Sequence, residues 1–220
     1  MIKTCDGSNV VFTDHKSVLP QNVAAMVDRA KTCCFTGHRP DKLPGRADRS
    51  SLGYRNMRST TVMHIEELYR CGYDTFIIGM SRGFDLMVGD ILATDAKFKD
   101  RISLICAVPY IRQFEEMKTK EELAIYRKLI CSADLVALCS MDYCDGCYKV
   151  RNQLMVNCSS AIIGYVAEKD IRSGAMQTVR MAGRAGLHMR IMYGDENPQF
   201  TEVDLSLIHI SEPTRLRCIS

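Results

Sequence analysis

The chain has 220 residues, 46% hydrophobic and 25% charged, with a formal net charge of +3, which is the composition of a globular domain and excludes a disordered or fibrous chain. No apolar run approaches the roughly 18 residues that span a bilayer, and the first six residues lack the apolar core of a signal peptide, so a cytoplasmic protein with no membrane partner is expected. Eleven cysteines, an odd number without a secretion signal, fit reduced thiols better than a disulfide framework.

Residues 1–31 show weak periodicity and read as an N-terminal extension, with Met26 an alternative start. The first buried run is Cys33-Cys34-Phe35, ending in Thr36-Gly37-His38-Arg39-Pro40. Gly37 permits close backbone approach. His38 offers a donor or an acid–base group, and Arg39 a planar fork for phosphate or carboxylate. An ordinary turn with a packed histidine and a surface arginine explains this string as well. Pro40 to Asn56 is rich in Pro, Gly, Arg and Asp and reads as a long loop after a strand end, where open α/β sheets bind ligands.

Val62, Ile65 and Tyr69 predict a helical stripe, followed by the strand Phe76-Ile77-Ile78. That strand runs into Gly79-Met80-Ser81-Arg82-Gly83-Phe84-Asp85 and a helix with Phe84, Val88, Ile91 and Leu92 on one face. Gly79 and Gly83 flanking Ser81 and Arg82 at a helix start suggest an anion cradle. The string is neither a Walker loop nor a dinucleotide fingerprint. Asp85 there either caps the helix or accepts from a ribose hydroxyl.

Ile102 to Val108 predicts the next strand, Leu123, Tyr126 and Ile130 the next helix, and Leu135 to Leu138 another strand. Cys144-x-x-Cys147 has zinc spacing, but no second pair follows, so no metal is expected. Val150, Leu154 and Cys158 predict a helix opened by Arg151 and Asn152, then Ala161 to Val166 a strand. Ser173 and Gly174 form a small-residue turn into a helix carrying Ala175, Val179 and Ala182, and Met189 to Met192 closes the alternation. Strand and helix alternating in this way predict an α/β fold, one doubly wound domain over 32–193 with a mostly parallel sheet and helices on both faces. Residues 194–220 are a tail, of which 205–220 resemble the translation of a sequencing adapter and are set aside.

The strings Thr36-Gly37-His38-Arg39-Pro40, Gly79-Met80-Ser81-Arg82-Gly83-Phe84-Asp85-Leu86, Gln113 and Arg151-Asn152-x-x-Met155, in this order, resemble the YpsA-like proteins. These are a bacterial and phage branch of the SLOG superfamily, which also contains DprA and the LOG phosphoribohydrolases. The resemblance spans about Thr32 to Met192. It implies a Rossmann-like fold with a nucleotide-type ligand across the strand C-termini, no resident cofactor, and a homodimer as one option.

Arg151 looks like the arginine of LOG enzymes. Their glycine-rich turn is here Ser173-Gly174-Ala175, and Val179-Arg180-Met181 in the next turn supplies none of their catalytic glutamate. Met117 stands where a tryptophan is common, and Asp90 where a glutamate is. The expected function is therefore a sensor or sequestering module for a nucleotide derivative. The alternative is hydrolysis or transfer at a nucleotide N-glycosidic bond, with Asp85 or Asp90 in place of the glutamate and no catalytic residue assigned. Single-stranded DNA binding of the DprA type ranks last, because balanced charge and 7% aromatics argue against a basic stacking groove.

Overall fold

The computed structural model describes residues 17–18, 20–167, 172–194 and 199–200; the adapter-like segment 205–220 and residues 1–16 of the extension lie outside the described residues. Strands β1 (Ser17–Val18), β2 (Thr32–Thr36), β3 (Thr75–Ile78), β4 (Ser103–Val108), β5 (Leu135–Leu138), β6 (Ala161–Val166), β7 (His188–Tyr193) and β8 (Gln199–Phe200) form one sheet in the order β1-β5-β4-β3-β2-β6-β7-β8. Every pairing is parallel except β7 with β8. The architecture is α/β and Rossmann-like. The short strand β1 is a difference from the sequence reading, which left it outside the alternation; two residues carry too little pattern to be seen.

Among the described residues the α-helices are α1 (Pro20–Met26), α2 (Leu52–Arg70), α3 (Phe84–Thr94), α4 (Lys120–Ser132), α5 (Cys147–Asn157) and α6 (Gly174–Arg184). Strand residues alternate between two cores because successive side chains point to opposite faces. Phe35, Phe76, Ile78, Cys106 and Val108 pack with α2, α3 and α4. Cys34, Ile77, Ile105 and Ala107 pack with α5 and α6 and with Val23 of α1.

From β2 the chain steps through β3, β4 and β5 in one direction, then α5 carries it back to β6 on the other side of β2. The strand order reverses at the β2–β6 pair, which is where an open sheet leaves a crevice beyond its C-terminal edge. Gly164 in β6 keeps that pair close, since a Cβ there would stand 2.9 Å from the Thr36 carbonyl oxygen.

The stripe predicted for α5 is rotated from the observed one. Val150 is 53% exposed, and the buried face is Cys147, Arg151, Met155 and Val156. A guanidinium occupies a position that apolar periodicity assigns to a hydrocarbon. No helix among the described residues is long and apolar enough to cross a membrane.

Candidate functional site

A cleft of about 330 Å³ opens at the β2–β6 crevice. Its walls come from the turn after β2 (Thr36, Gly37, His38, Arg39, Asp41 and Lys42), from Ser81 and Asp85, from the first turns of α5 (Tyr148, Arg151, Asn152 and Met155) and from the α6 entry (Ser173, Gly174, Ala175 and Thr178). Four segments far apart in sequence thus meet at one edge. The strand-to-helix loops of a parallel sheet all emerge there. Gly79, Arg82 and Gly83 are not part of the lining.

Arg151 is the structural centre of the cleft and is only 5% exposed. It reaches from α5 across the sheet edge, donating to the Gly79 carbonyl and to Ser81 Oγ at 3.0 Å, and it lies 3.4 Å from Asp85 Oδ2. A side chain at position 79 would collide with the guanidinium, so Gly79 makes room for an internal arginine. The same Asp85 oxygen accepts from the Ser81 backbone N–H at 3.1 Å. Burial pushes the Asp85 carboxyl above its ordinary value, against the lowering pull of Arg151 and Ser81. Of the two roles considered for Asp85, capping is not the one it performs: the N-cap of α3 is Gly83, without a side-chain cap, and the carboxylate braces the 79–83 loop from the cleft wall.

That loop carries backbone strain. Met80 is fully buried with φ 61°, and Gly83 has φ 88°, both in the left-handed region where non-glycine residues are uncommon. A Cβ at Gly83 would stand 2.5 Å from the His38 carbonyl oxygen, which itself accepts from the Phe84 N–H at 3.1 Å. Gly83 therefore permits the two loops to touch each other. The His38 ring sits edge-on to Tyr165 with centroids 6.2 Å apart and forms part of the cleft floor.

The three arginines separate in function. Arg82 turns away to α4, where Nε donates to Glu122 Oε2 at 2.8 Å and a terminal nitrogen lies 2.8 Å from Oε1. Glu122 also belongs to the capping box of α4 with Thr119. Burial opposes its ionisation, but Arg82 and the amides of Lys118 and Thr119 hold its carboxyl below the ordinary value. Arg39 stays at the cleft rim with its side chain 52% exposed, 3.3 Å from Glu116 Oε2.

Sequence reasoning missed the group around Glu116. Its other oxygen accepts from the Tyr110 phenol at 2.5 Å and from the Tyr148 phenol. Burial first, and then the Glu116 carboxylate, push both phenols upward. The Tyr148 ring lies beneath two guanidinium groups, Arg39 at 6.0 Å and Arg151 at 5.5 Å from its centroid. Tyr110 meets Tyr148 and Tyr143 edge-on, with centroids 6.3 and 5.4 Å apart. These residues come from the segment after β4 (Tyr110 and Glu116), the loop after β5 (Tyr143) and the first turn of α5 (Tyr148), so no local motif announces them. At the opposite wall, Ser173 caps α6 by accepting from the Met176 N–H at 3.1 Å, and open space surrounds Gly174.

No protein-family model and no curated protein matches the chain. Among solved structures it is similar to DNA processing protein A from Helicobacter pylori, reported for its unique single-stranded DNA binding mode. The TM-score is 0.53 at 16% identity, covering 80% of this chain and 71% of that one. The similarity supports the Rossmann-like fold. It also corrects one expectation. Nucleic acid was set aside on balanced charge and few aromatics, yet a protein of this fold binds single-stranded DNA. The exclusion fails physically because composition averages over the surface, whereas Tyr143, Tyr110 and Tyr148 form one cluster that reaches Arg39 through Tyr148.

Proposed function

We propose that the cleft binds the phosphate of a nucleotide or nucleotide derivative, in a sensing or sequestering module of the YpsA-like branch. The observation that carries this reading is the α6 entry facing the rim cations. The amides of Gly174 and Ala175 precede the first intrahelical bond of α6 and open on the cleft that Arg39 and Lys42 also line. A helix N-terminus of this kind favours an anion through its unpaired N–H groups and its dipole. That the strings Thr36–Pro40, Ser81, Asp85, Arg151-Asn152 and Ser173-Gly174 all border one cleft supports the family resemblance behind them.

Binding is favoured over N-glycosidic hydrolysis by the surroundings of the two carboxylates considered for it, although Asp85 is on the cleft wall. Asp85 faces Arg151 and Ser81, and Asp90 lies 3.4 Å from Lys128 between α3 and α4, away from the cleft. Single-stranded DNA is the second reading, supported by the similarity to DNA processing protein A and by the ring cluster beside Arg39.

Gly174→Glu tests the proposal. A Cβ at Gly174 meets nothing within 4 Å, and an acidic residue in the first turn of α6 suits its dipole, so the variant folds. Its carboxylate faces the anion position. Calorimetry with pyrophosphate, nucleoside phosphates, dinucleotides and oligothymidylate should show binding to the parent chain and loss of at least tenfold in the variant. Equal affinity in both removes the α6 entry from the site. Release of free base from any bound nucleotide would favour the enzyme reading instead.

A further inference from the structure

We infer that Tyr143 and the rings behind it form a base-stacking lip, so that the ligand carries a nucleobase next to the phosphate held in the cleft. This inference rests on the nucleotide reading above and deepens it. Tyr143 is 63% exposed and Met141, two residues before it, 61%, which leaves an aromatic face open to water and joined through Tyr110 to Tyr148 of the cleft wall. The ring is nevertheless held. Tyr110 meets it edge-on at 5.4 Å and is itself only 9% exposed.

The loop that bears Tyr143 is tied to its neighbours. The Ile111 N–H donates to the Ser140 carbonyl at 3.2 Å, and the Cys139 N–H to the Val108 carbonyl at 2.8 Å. Ser140 Oγ donates to the Asp142 carbonyl at 2.6 Å. A fixed, exposed ring costs little entropy when a second ring stacks upon it.

The three tyrosines form a continuous path from solvent to the cleft wall, where Tyr148 lies beside Arg39 and Arg151. Charge along that path divides the ligand. Arg39, Lys42 and the α6 entry are on the cleft side, whereas Asp142 and Asp145 flank Tyr143 and repel phosphate. Phosphate belongs in the cleft, and an uncharged aromatic ring at the lip. Two sources share this chemistry, a small dinucleotide and a longer single strand, and the measurement separates them.

The chain has no tryptophan, so Tyr143→Trp creates a single tryptophan at the lip, which can be excited selectively beyond the tyrosine absorption band. Its emission should be quenched by the dinucleotide pApA or by oligothymidylate and left unchanged by pyrophosphate. Tyr143→Ala should weaken the base-bearing probes about 5- to 100-fold, as expected for one lost stacking contact, with pyrophosphate unaffected and Tyr143→Phe close to the parent. Greater loss for the dinucleotide assigns the small ligand, and greater loss for the oligonucleotide the strand. Parent-like affinity of both base-bearing probes in Tyr143→Ala, or an equal loss for pyrophosphate, overturns the stacking lip and leaves the phosphate site standing. Failure of every probe to bind the parent chain overturns both readings.

Discussion

Arg151→Met should destabilise the protein severely, and the cause can be isolated. The side chain donates to Gly79 and Ser81 and faces Asp85, and the Arg151 and Asp85 side chains are 6% and 7% exposed. Removing the guanidinium leaves a buried carboxylate that retains Ser81, through its backbone N–H and its hydroxyl, in place of a charge partner. Breaking such a pair costs about 3–5 kcal/mol, a large part of the roughly 5–15 kcal/mol that holds a domain folded. In urea the unfolding midpoint should fall on the order of 1–3 M. Arg151→Met combined with Asp85→Leu should recover most of the loss, because hydrocarbon replaces both charges. The pH dependence carries a definite sign. Burial holds the folded Asp85 value above its unfolded one, so its contribution is most favourable at low pH and declines as pH rises through the folded value. Without Arg151 that value rises further, so the penalty of the single variant should shrink between pH 7 and about pH 4.5. A loss below about 1 kcal/mol at pH 7, or a double variant no more stable than the single one, would refute the reasoning.

Gly83→Ala should lower the thermal midpoint, since φ 88° and the 2.5 Å approach to the His38 carbonyl together cost about 1–3 kcal/mol; an unchanged melting curve contradicts this. Glu116→Gln releases Arg39 from an exposed ion pair and should tighten pyrophosphate up to about fivefold, which calorimetry would detect; weaker binding goes against it. Arg82→Ala should leave pyrophosphate affinity within about twofold, because Arg82 faces Glu122 and not the cleft. Arg82 helps hold the folded Glu122 value below the unfolded one, so this pair stabilises above the unfolded carboxylate value and fades as pH falls through the folded one. The variant should therefore flatten the acid limb of the stability profile, and a parent-like limb would count against the pair.

The alternation of short apolar runs with helical stripes was enough to read the central parallel sheet and its two helical layers, because burial on both faces leaves an unmistakable pattern in Ala161–Val166 or Phe76-Ile77-Ile78. What it concealed follows from the same physics. The α5 stripe was misplaced by its buried Arg151, since hydrophobic periodicity has no symbol for a satisfied internal charge. The placement of Gly37, His38, Arg39, Ser81, Asp85, Arg151, Asn152, Ser173 and Gly174 around one cleft follows from loops emerging at a common sheet edge. Whether a side chain then faces the cleft or another element depends on partners that are remote in sequence. Glu122 lies 40 residues from Arg82 and Glu116 lies 77 from Arg39, so neither pairing is visible in a motif. The tyrosine cluster was hidden for a related reason, because a low aromatic fraction does not tell where the aromatics gather.

If the cleft binds an anion as proposed, these pairings change how it would attract one. Arg151 faces Asp85, Arg39 faces Glu116, and Asp41 lines the rim beside Lys42. Each arginine that lines the cleft thus has a carboxylate beside it, so long-range attraction by net charge is weak there. The neutral donors at the α6 entry retain their pull, and they act only at contact, where a phosphate of the right shape can meet several N–H groups together. Selectivity then rests on geometry more than on charge. Arg39 links this geometry to the lip. When it turns from Glu116 toward a phosphate, Glu116 still holds the Tyr110 and Tyr148 phenols, and the rings beside Tyr143 keep their places. On the proposed reading, anion arrival would therefore recruit Arg39 without disturbing the aromatic surface at the lip.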